Sequence, residues 1–352
     1  VGFQSGQPVS GRNPLACPEG EMSDQTEISW TDSTFNPWIG CTNVSPGCDH
    51  CYAETLMDKR YGRVEWGAGK ARARTAAANW RKPVQWDRQP FVECPLCHWR
   101  GERRGAAGAR QAQCPACFGF HLPARRRVFC ASLADVFDNE VDPAWQSDLF
   151  DLIRATPNLD WLLLTKRIGN AVKLLGPSIA EFPNVWLGAT IVNQEEADRD
   201  IPKLLTVPAR VRFLSCEPLL GPINLWPVAF NPCPNSADVG MDPTTGSFEC
   251  CKACDYGGVS DEAAIDWIIA GGESGPKARP MHRDWARSLR DQCVAAGVPF
   301  HFKQWGEHAP NWLTDDAGAH EMPGTMWMDC MGKKAAGRML DGRTWDEFPQ
   351  AQ

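Results

Sequence analysis

Nowhere does the sequence carry an apolar run long enough to span a bilayer, and it has no succession of basic, apolar and small residues of the secretory kind. Neither membrane insertion nor export is expected, and the chain reads as cytoplasmic. It also lacks an excess of positive charge: with a net charge of -7, it would have to meet a polyanion through a local basic surface. Cysteine, in contrast, is abundant at 16 residues in 352, and in a reducing compartment clustered Cys-x2-Cys pairs indicate bound metal more often than disulfides. The length has room for one barrel-sized domain or two smaller ones.

The run from Asn36 to Tyr52 places Cys41, Cys48 and Cys51 in one Gly/Pro-punctuated loop, directly after a short apolar segment around Trp38 that reads as a strand. Three thiolates with Cys-x6-Cys-x2-Cys spacing suit an iron–sulfur cluster or zinc, both of which prefer deprotonated sulfur. A cluster held by only three cysteines keeps one iron open for chemistry. The competing reading is a structural zinc site closed by His50, Asp49 or a distant fourth ligand.

Residues 1–21 show no periodicity and are read as a disordered leader. A main domain is expected over 22–312 and a short C-terminal cap over 313–352. Behind the cysteine loop, helices are expected from Ala53 to Arg60 and from Ala71 to Trp80, the second closed by Pro83. Two basic stretches follow the loop: Lys59 to Lys82, with Arg60, Arg63, Lys70, Arg72, Arg74 and Arg81, and then Arg100 to Arg127. Cys94, Cys97, Cys114 and Cys117 form two Cys-x2-Cys knuckles 16 residues apart, which predicts a zinc ribbon inserted over 91–127. Its arginines suit phosphate contacts, although a solvated insert that merely staples a loop is the plainer reading. A second Cys-rich insert, 226–260, carries Cys233, Cys250, Cys251 and Cys254, for which zinc or an auxiliary iron–sulfur cluster is expected.

From Val128 onward, short apolar runs alternate with amphipathic stretches of helical length. The strands expected are Val128–Ala131, Trp161–Thr165, Val185–Ala189, Val211–Ser215, Ile265–Ala270 and Val298–Phe302. The helices include Pro143–Arg154, Gln194–Leu205 and Arg283–Ala296. Near-continuous apolar strands separated by helices indicate an α/β fold with a parallel sheet covered by helices. About seven such units fit a full or partial TIM-type (β/α) barrel interrupted by the two cysteine-rich inserts.

In such a barrel the chemistry gathers at the C-terminal ends of the strands. Reading off those ends gives Ser132 and Asp135, then Thr165, Lys166 and Arg167, then Asn193, then Cys216 and Glu217, and finally Gly271, Gly272 and Glu273. Lys166 and Arg167 are placed to hold a carboxylate or phosphate. Glu217 and Glu273 are carboxylates brought near a ligand by a backbone of little bulk. Cys130, Cys216 and Cys293 sit in apolar surroundings as core thiols do; Cys216, at its strand end, is also counted with Lys166 and Glu217 as a catalytic candidate.

The three-cysteine loop, together with the segments Trp30–Trp38, Leu164–Arg167 and Ala270–Gly275, resembles the radical S-adenosylmethionine superfamily, and more closely a phage-associated family within it. The resemblance covers roughly Glu27 to Glu307. It implies a 4Fe–4S cluster on Cys41, Cys48 and Cys51 whose unique iron binds S-adenosylmethionine, and a 5′-deoxyadenosyl radical that abstracts a substrate hydrogen. It places His50 near the adenine; of the strand-end residues, Ser132, Asp135, Thr165, Arg167, Asn193, Gly271, Gly272 and Glu273 are the expected cofactor contacts. It also implies an electron donor such as flavodoxin or ferredoxin, and the host cytoplasm for a viral protein. This sequence departs from the superfamily in its first cysteine spacing, and its Gly-Gly-Glu follows a late strand. Some relatives resemble enzymes that hypermodify thymidine in viral DNA, so a modified DNA base is the expected substrate. Radical repair or modification of another nucleic-acid base, or a non-catalytic zinc protein that binds nucleic acid, are the alternatives.

Overall fold

A computed structural model of the chain describes residues 26, 28–102, 113–230, 265–310 and 328–349. The leader, most of the second insert with Cys233, Cys250, Cys251 and Cys254, and part of the expected cap lie outside the described residues.

Fourteen short strands and seven helices follow one another as β1 (Ser33–Thr34), β2 (Trp38–Ile39), α1 (Tyr52–Glu54), β3 (Ala73–Arg74), α2 (Ala77–Arg88), β4 (Phe91–Glu93), β5 (Arg100–Glu102), β6 (Leu122–Ala124) and β7 (Arg126–Cys130), then α3 (Pro143–Ala155), β8 (Leu159–Thr165), α4 (Ile168–Leu174), β9 (Val185–Thr190), α5 (Gln194–Leu205), β10 (Val211–Cys216), β11 (Trp267–Gly271), α6 (Arg283–Ala296), β12 (Phe300–Gln304), β13 (His308–Pro310), β14 (Met328–Cys330) and α7 (Lys333–Ala336) among the described residues. Seven of the strands form one parallel sheet in the order β1-β7-β8-β9-β10-β11-β12. Its two edges do not pair with each other, so the fold is a curled, partial TIM-like barrel. No described helix is long and apolar enough to cross a membrane.

The strands are apolar on both faces because both are covered. Alternate residues such as Trp161, Leu163, Leu187, Leu214 and Ile268 pack under the helices. Phe129, Leu162, Trp186, Phe213, Trp267 and Ile269 fill the concave side, joined by Trp30 and Phe348. Gly188 is what lets this aromatic floor close: a Cβ there would stand 2.3 Å from the Phe213 ring. The tail covers the β12 edge, where Phe302 N–H donates to the Trp345 carbonyl, and this blunts an otherwise unpaired strand.

Several sequence expectations are revised. Trp38–Ile39 is not a barrel strand; it pairs antiparallel with Ala73–Arg74, and Ser33–Thr34 supplies the edge strand instead. Helix α2 starts only at Ala77 and runs through Pro83. The preceding residues are spent elsewhere: Arg72 is buried against Asp138, and Thr75 Oγ1 donates to the Asn36 and Pro37 carbonyls. Helix α1 passes into a π-turn over Thr55–Arg60.

The described ribbon arginines are structural. Arg100 forms a forked pair with Asp32 at 3.0 Å and also binds Glu93. Arg125 pairs with Asp160 at 2.7 Å, Arg126 with Glu102 at 2.6 Å, and Arg127 lies 4.0 Å over the Phe348 ring. These contacts dock the ribbon at the N-terminal ends of β7 and β8.

Substituting Gly188→Ala is expected to destabilise the fold by about 1–3 kcal/mol through overpacking. The fall in melting temperature should shrink when Phe213→Leu makes room. A second expectation concerns His301, which is fully buried, with Ser29 Oγ 2.9 Å from its Nε2. Burial pushes its pKa down to about 3; Arg338, Lys303 and Arg127 add to this, and Asp346 opposes it. An unfolded histidine titrates near ~6.5, so below that the unfolded chain binds a proton that the folded chain refuses. Stability from this group is complete above about pH 6.5 and falls by up to about 1.4 kcal/mol per pH unit toward pH 3. Denaturation of His301→Gln should show a shallower acid limb than the wild type; parallel profiles would refute the assignment.

Candidate metal centre and rim site

Among the described residues, two cysteine groups occupy opposite ends of the sheet. In the ribbon, Cys94, Cys97, Cys114 and Cys117 bring their sulfurs within 4.8 Å of one another. Cys94–Cys117 and Cys97–Cys114 are each 3.5 Å apart. A tetrahedral ion with bonds near ~2.3 Å has sulfur–sulfur edges of about 3.8 Å, so four thiolates drawn slightly outward enclose one metal ion. The knuckles are twins: His98 and Phe118, each following the second cysteine, adopt φ of 57° and 61°, and their N–H groups donate to the Cys94 and Cys114 carbonyls.

The second group lies at the C-terminal rim. Gly40 N–H donates to the Leu133 carbonyl, setting the cysteine loop beside the end of β7. Cys48 and Cys51 sit on a tight turn in which Cys48 N–H bonds to Ser45 O at 2.8 Å and Cys51 N–H to Cys48 O at 3.1 Å. Asp135 organises the rim next to this loop. Its Oδ1 accepts from Thr165 Oγ1 at 2.7 Å and Phe137 N, and its Oδ2 from Lys166 N and Arg167 Nη1, both at 3.1 Å. Arg167 then reaches Cys41 Sγ at 3.3 Å and the Thr42 carbonyl at 2.7 Å. Burial works against its charge, but Asp135, Cys41 and Asp138 more than offset this and hold its pKa above the ordinary arginine value.

Burial and then Asp135 push the Cys41 thiol up to about 11, with Arg167 pulling the other way. Burial likewise raises Cys51, against which Lys166 acts. A bound cation deprotonates such thiols outright. Among the described residues, no group of three or more that includes Cys41, Cys48 and Cys51 has all its ligand atoms within 4.8 Å, unlike the ribbon set.

Glu273 closes the rim from the far side. Its carboxylate takes Arg279 Nε at 3.0 Å, Nη2 at 2.7 Å and N–H at 2.7 Å, and lies 3.0 Å from His50 Nδ1. Burial alone would raise its pKa, yet Arg279 and His50 hold it below the usual range. Arg279 continues to Asp49 at 3.0 Å and the Pro46 carbonyl at 2.8 Å, so it ties the Gly-Gly-Glu turn to the cysteine loop. Gly272 serves this junction, since a Cβ there would meet the Trp305 carbonyl oxygen at 1.8 Å. Gly271 packs against Glu217, which itself binds Lys303 at 2.8 Å and Gln304 at 3.1 Å.

The structure thus brings His50, Ser132, Asp135, Thr165, Lys166, Arg167, Glu217 and Glu273 to one rim with the three cysteines, Ser132 through its bond to Asn36 at 3.1 Å and its carbonyl's bond from Tyr52 Oη. Two expected site residues do other work. Cys216 is a fully buried core thiol whose pKa burial lifts to about 12. Asn193 caps α5, accepting from Glu196 N–H at 2.9 Å. Residues missed by the sequence reading are Arg279, Asp138 and Arg72. Arg72 Nε donates to Asp138 at 2.8 Å inside the rim, and only an acid–base pairing between distant segments could have revealed it.

A family model described as a protein of unknown function, DUF5131, matches residues 25–349. The chain belongs to the DUF5131 family. No curated protein and no solved structure matches it. In this DUF5131 chain the match runs across sheet, ribbon and rim together, so the four-thiol insert lies within the extent of the family.

Replacing Cys94 and Cys114 together by serine should remove about one equivalent of bound metal, read by elemental analysis. Unfolding should follow at lower temperature, because metal binding to such a site is folding free energy. Retention of a full equivalent would show that the ribbon thiols are not ligands.

Proposed function

We propose that this DUF5131 protein is a radical S-adenosylmethionine enzyme that abstracts hydrogen from a modified base in DNA, with a structural zinc ion in the ribbon. The observation that carries the reading is the separation of two thiol groups: four thiols drawn together at one end of the sheet, and Cys41, Cys48 and Cys51 on a loop beside the C-terminal ends of the strands, where barrel chemistry gathers. A cluster held there supplies, with S-adenosylmethionine, the hydrogen-abstracting radical.

The chain's own residues would do the holding. Arg167, fixed by Asp135, steadies the Cys41 sulfur. Lys166, whose Cε lies 3.4 Å from where a Gly47 Cβ would stand, offers a cation over the cysteine loop for a carboxylate. Glu273 is fully engaged by Arg279 and His50, so its part is to hold the loop rather than to receive the cofactor directly. Glu217 and Lys303 form the opposite wall, where polar groups of a base would dock. An amino-acid adduct of thymidine is the substrate this reading favours, its nitrogen-linked glycine becoming carbon-linked.

The four-thiol site also favours a second reading, a zinc protein that binds nucleic acid without catalysis. Anaerobic reconstitution separates the two. The wild type should turn brown and bind iron and sulfide in addition to zinc, and Cys48→Ala should lose the colour while keeping the zinc. Colourless protein carrying only zinc would overturn the enzyme reading. Deoxyadenosine released with modified DNA, and not with peptides or free metabolites, would support the substrate.

A further inference from the structure

The two basic stretches behave differently. Every described ribbon arginine is spent on a carboxylate or a ring inside the protein. In the first stretch Lys59, Lys70, Arg72 and Arg74 are also paired, with Glu54, Glu65, Asp138 and Asp148. Arg60 and Arg63 differ: among the described residues neither is bridged to a carboxylate, both are exposed, and the ring they lie over is itself at the surface. Their guanidinium carbons stand 5.5 and 5.6 Å from the centre of the Tyr61 ring, which is itself 52 % exposed. In a chain with only 3 tyrosines, a second one, Tyr52, is 55 % exposed.

These residues belong to one excursion that leaves and rejoins the cysteine loop. It starts at Cys51, runs through α1 and the π-turn, and returns where Gly67 N–H donates to the Cys41 carbonyl at 3.1 Å. Tyr52 marks its rim end, with Oη on the Ser132 carbonyl at 2.5 Å. Tyr61 closes its far end, with N–H on the Leu56 carbonyl at 3.1 Å. Nine residues of helix span at most about 13 Å, the length of about four stacked bases. An exposed ring flanked by two guanidinium planes offers a stacking face and phosphate-binding forks together. An acidic peptide would use the cations but leave the ring idle.

We propose that this excursion is the track by which a DNA strand with an unpaired base reaches the rim: Tyr61 stacks a base, Arg60 and Arg63 hold the flanking phosphates, and Tyr52 faces the nucleotide nearest the cysteines. The inference rests on the DNA-substrate reading above. It locates the strand on the π-turn rather than on the described ribbon arginines.

Fluorescence anisotropy of the full-length protein with a short single-stranded DNA, over a salt series and without reductant, tests it. Tyr61→Ala should weaken binding roughly ten- to hundredfold, and Tyr61→Phe should restore it. The Arg60→Ala, Arg63→Ala double variant should flatten the slope of log affinity against log salt by about 1.4, two phosphates at about 0.7 each. Wild-type affinity and slope in these variants would overturn the proposal, as would tighter binding of RNA or of fully paired duplex. Ribbon metal content identical to wild type confirms that the variants fold. DNA-dependent deoxyadenosine release, measured separately, distinguishes the two failures: release unaffected by the variants sinks the track alone, whereas its absence in the wild type sinks the substrate reading while anisotropy still reports on the track.

Discussion

The rim of this protein depends on one buried carboxylate. Asp135 follows β7 and receives four donors, two of them from the turn after β8. A buried charge left unpaired costs several kcal/mol, so the ends of β7 and β8 have to arrive together or not at all. Arg167 carries the constraint outward, because the guanidinium that neutralises Asp135 is the one that meets Cys41 and the Thr42 carbonyl. Asp138 and Arg72 repeat the arrangement one turn away, with side chains almost wholly shielded from water. The cysteine loop is thus positioned by charge pairing from beneath and by Arg279 from the side, and its own sequence supplies little beyond the turn.

The concave side of the sheet shows how the open barrel is used. Its lower part is solid with aromatic rings, and Gly188 makes room for the largest overlap. Toward the rim the inward residues become small or polar, with Thr190, Ser215 and Gly271 in place of tryptophan and phenylalanine. Among the described residues β1 and β12 do not pair, and the β12 edge is covered by the C-terminal tail.

Much of the architecture was legible because it rests on periodicity. The six later strands and the helices Gln194–Leu205 and Arg283–Ala296 stand where alternation and amphipathic spacing put them. The twin knuckles were equally plain, since two thiols per tight turn have few other uses. What stayed hidden depends on partners far away in the chain. Trp38 reads as a strand but has its pairing partner at Arg74, and the arginines of the ribbon read as a free basic face although each described one has a carboxylate or ring as its partner. Pro83 looked like a helix stop; it falls inside a helix whose start was displaced when Arg72 was drawn into the interior. Asn193 and Cys216 sit at strand ends in the sequence, but one side chain turns back to cap a helix and the other turns into the core.

Strand β7 joins these two worlds. It is only 5 residues long, every one of them buried. Its first residue grips the ribbon through Glu102, and the N–H of its second holds Asp32, which is also the anchor of Arg100. Its last residue leads directly into the segment that carries Ser132 and Asp135. A slip of one position would turn every side chain to the opposite face, detaching the ribbon at one end and dismantling the carboxylate hub at the other. The register of this short strand therefore serves as a common scale for both thiol groups, and selection on either one constrains it.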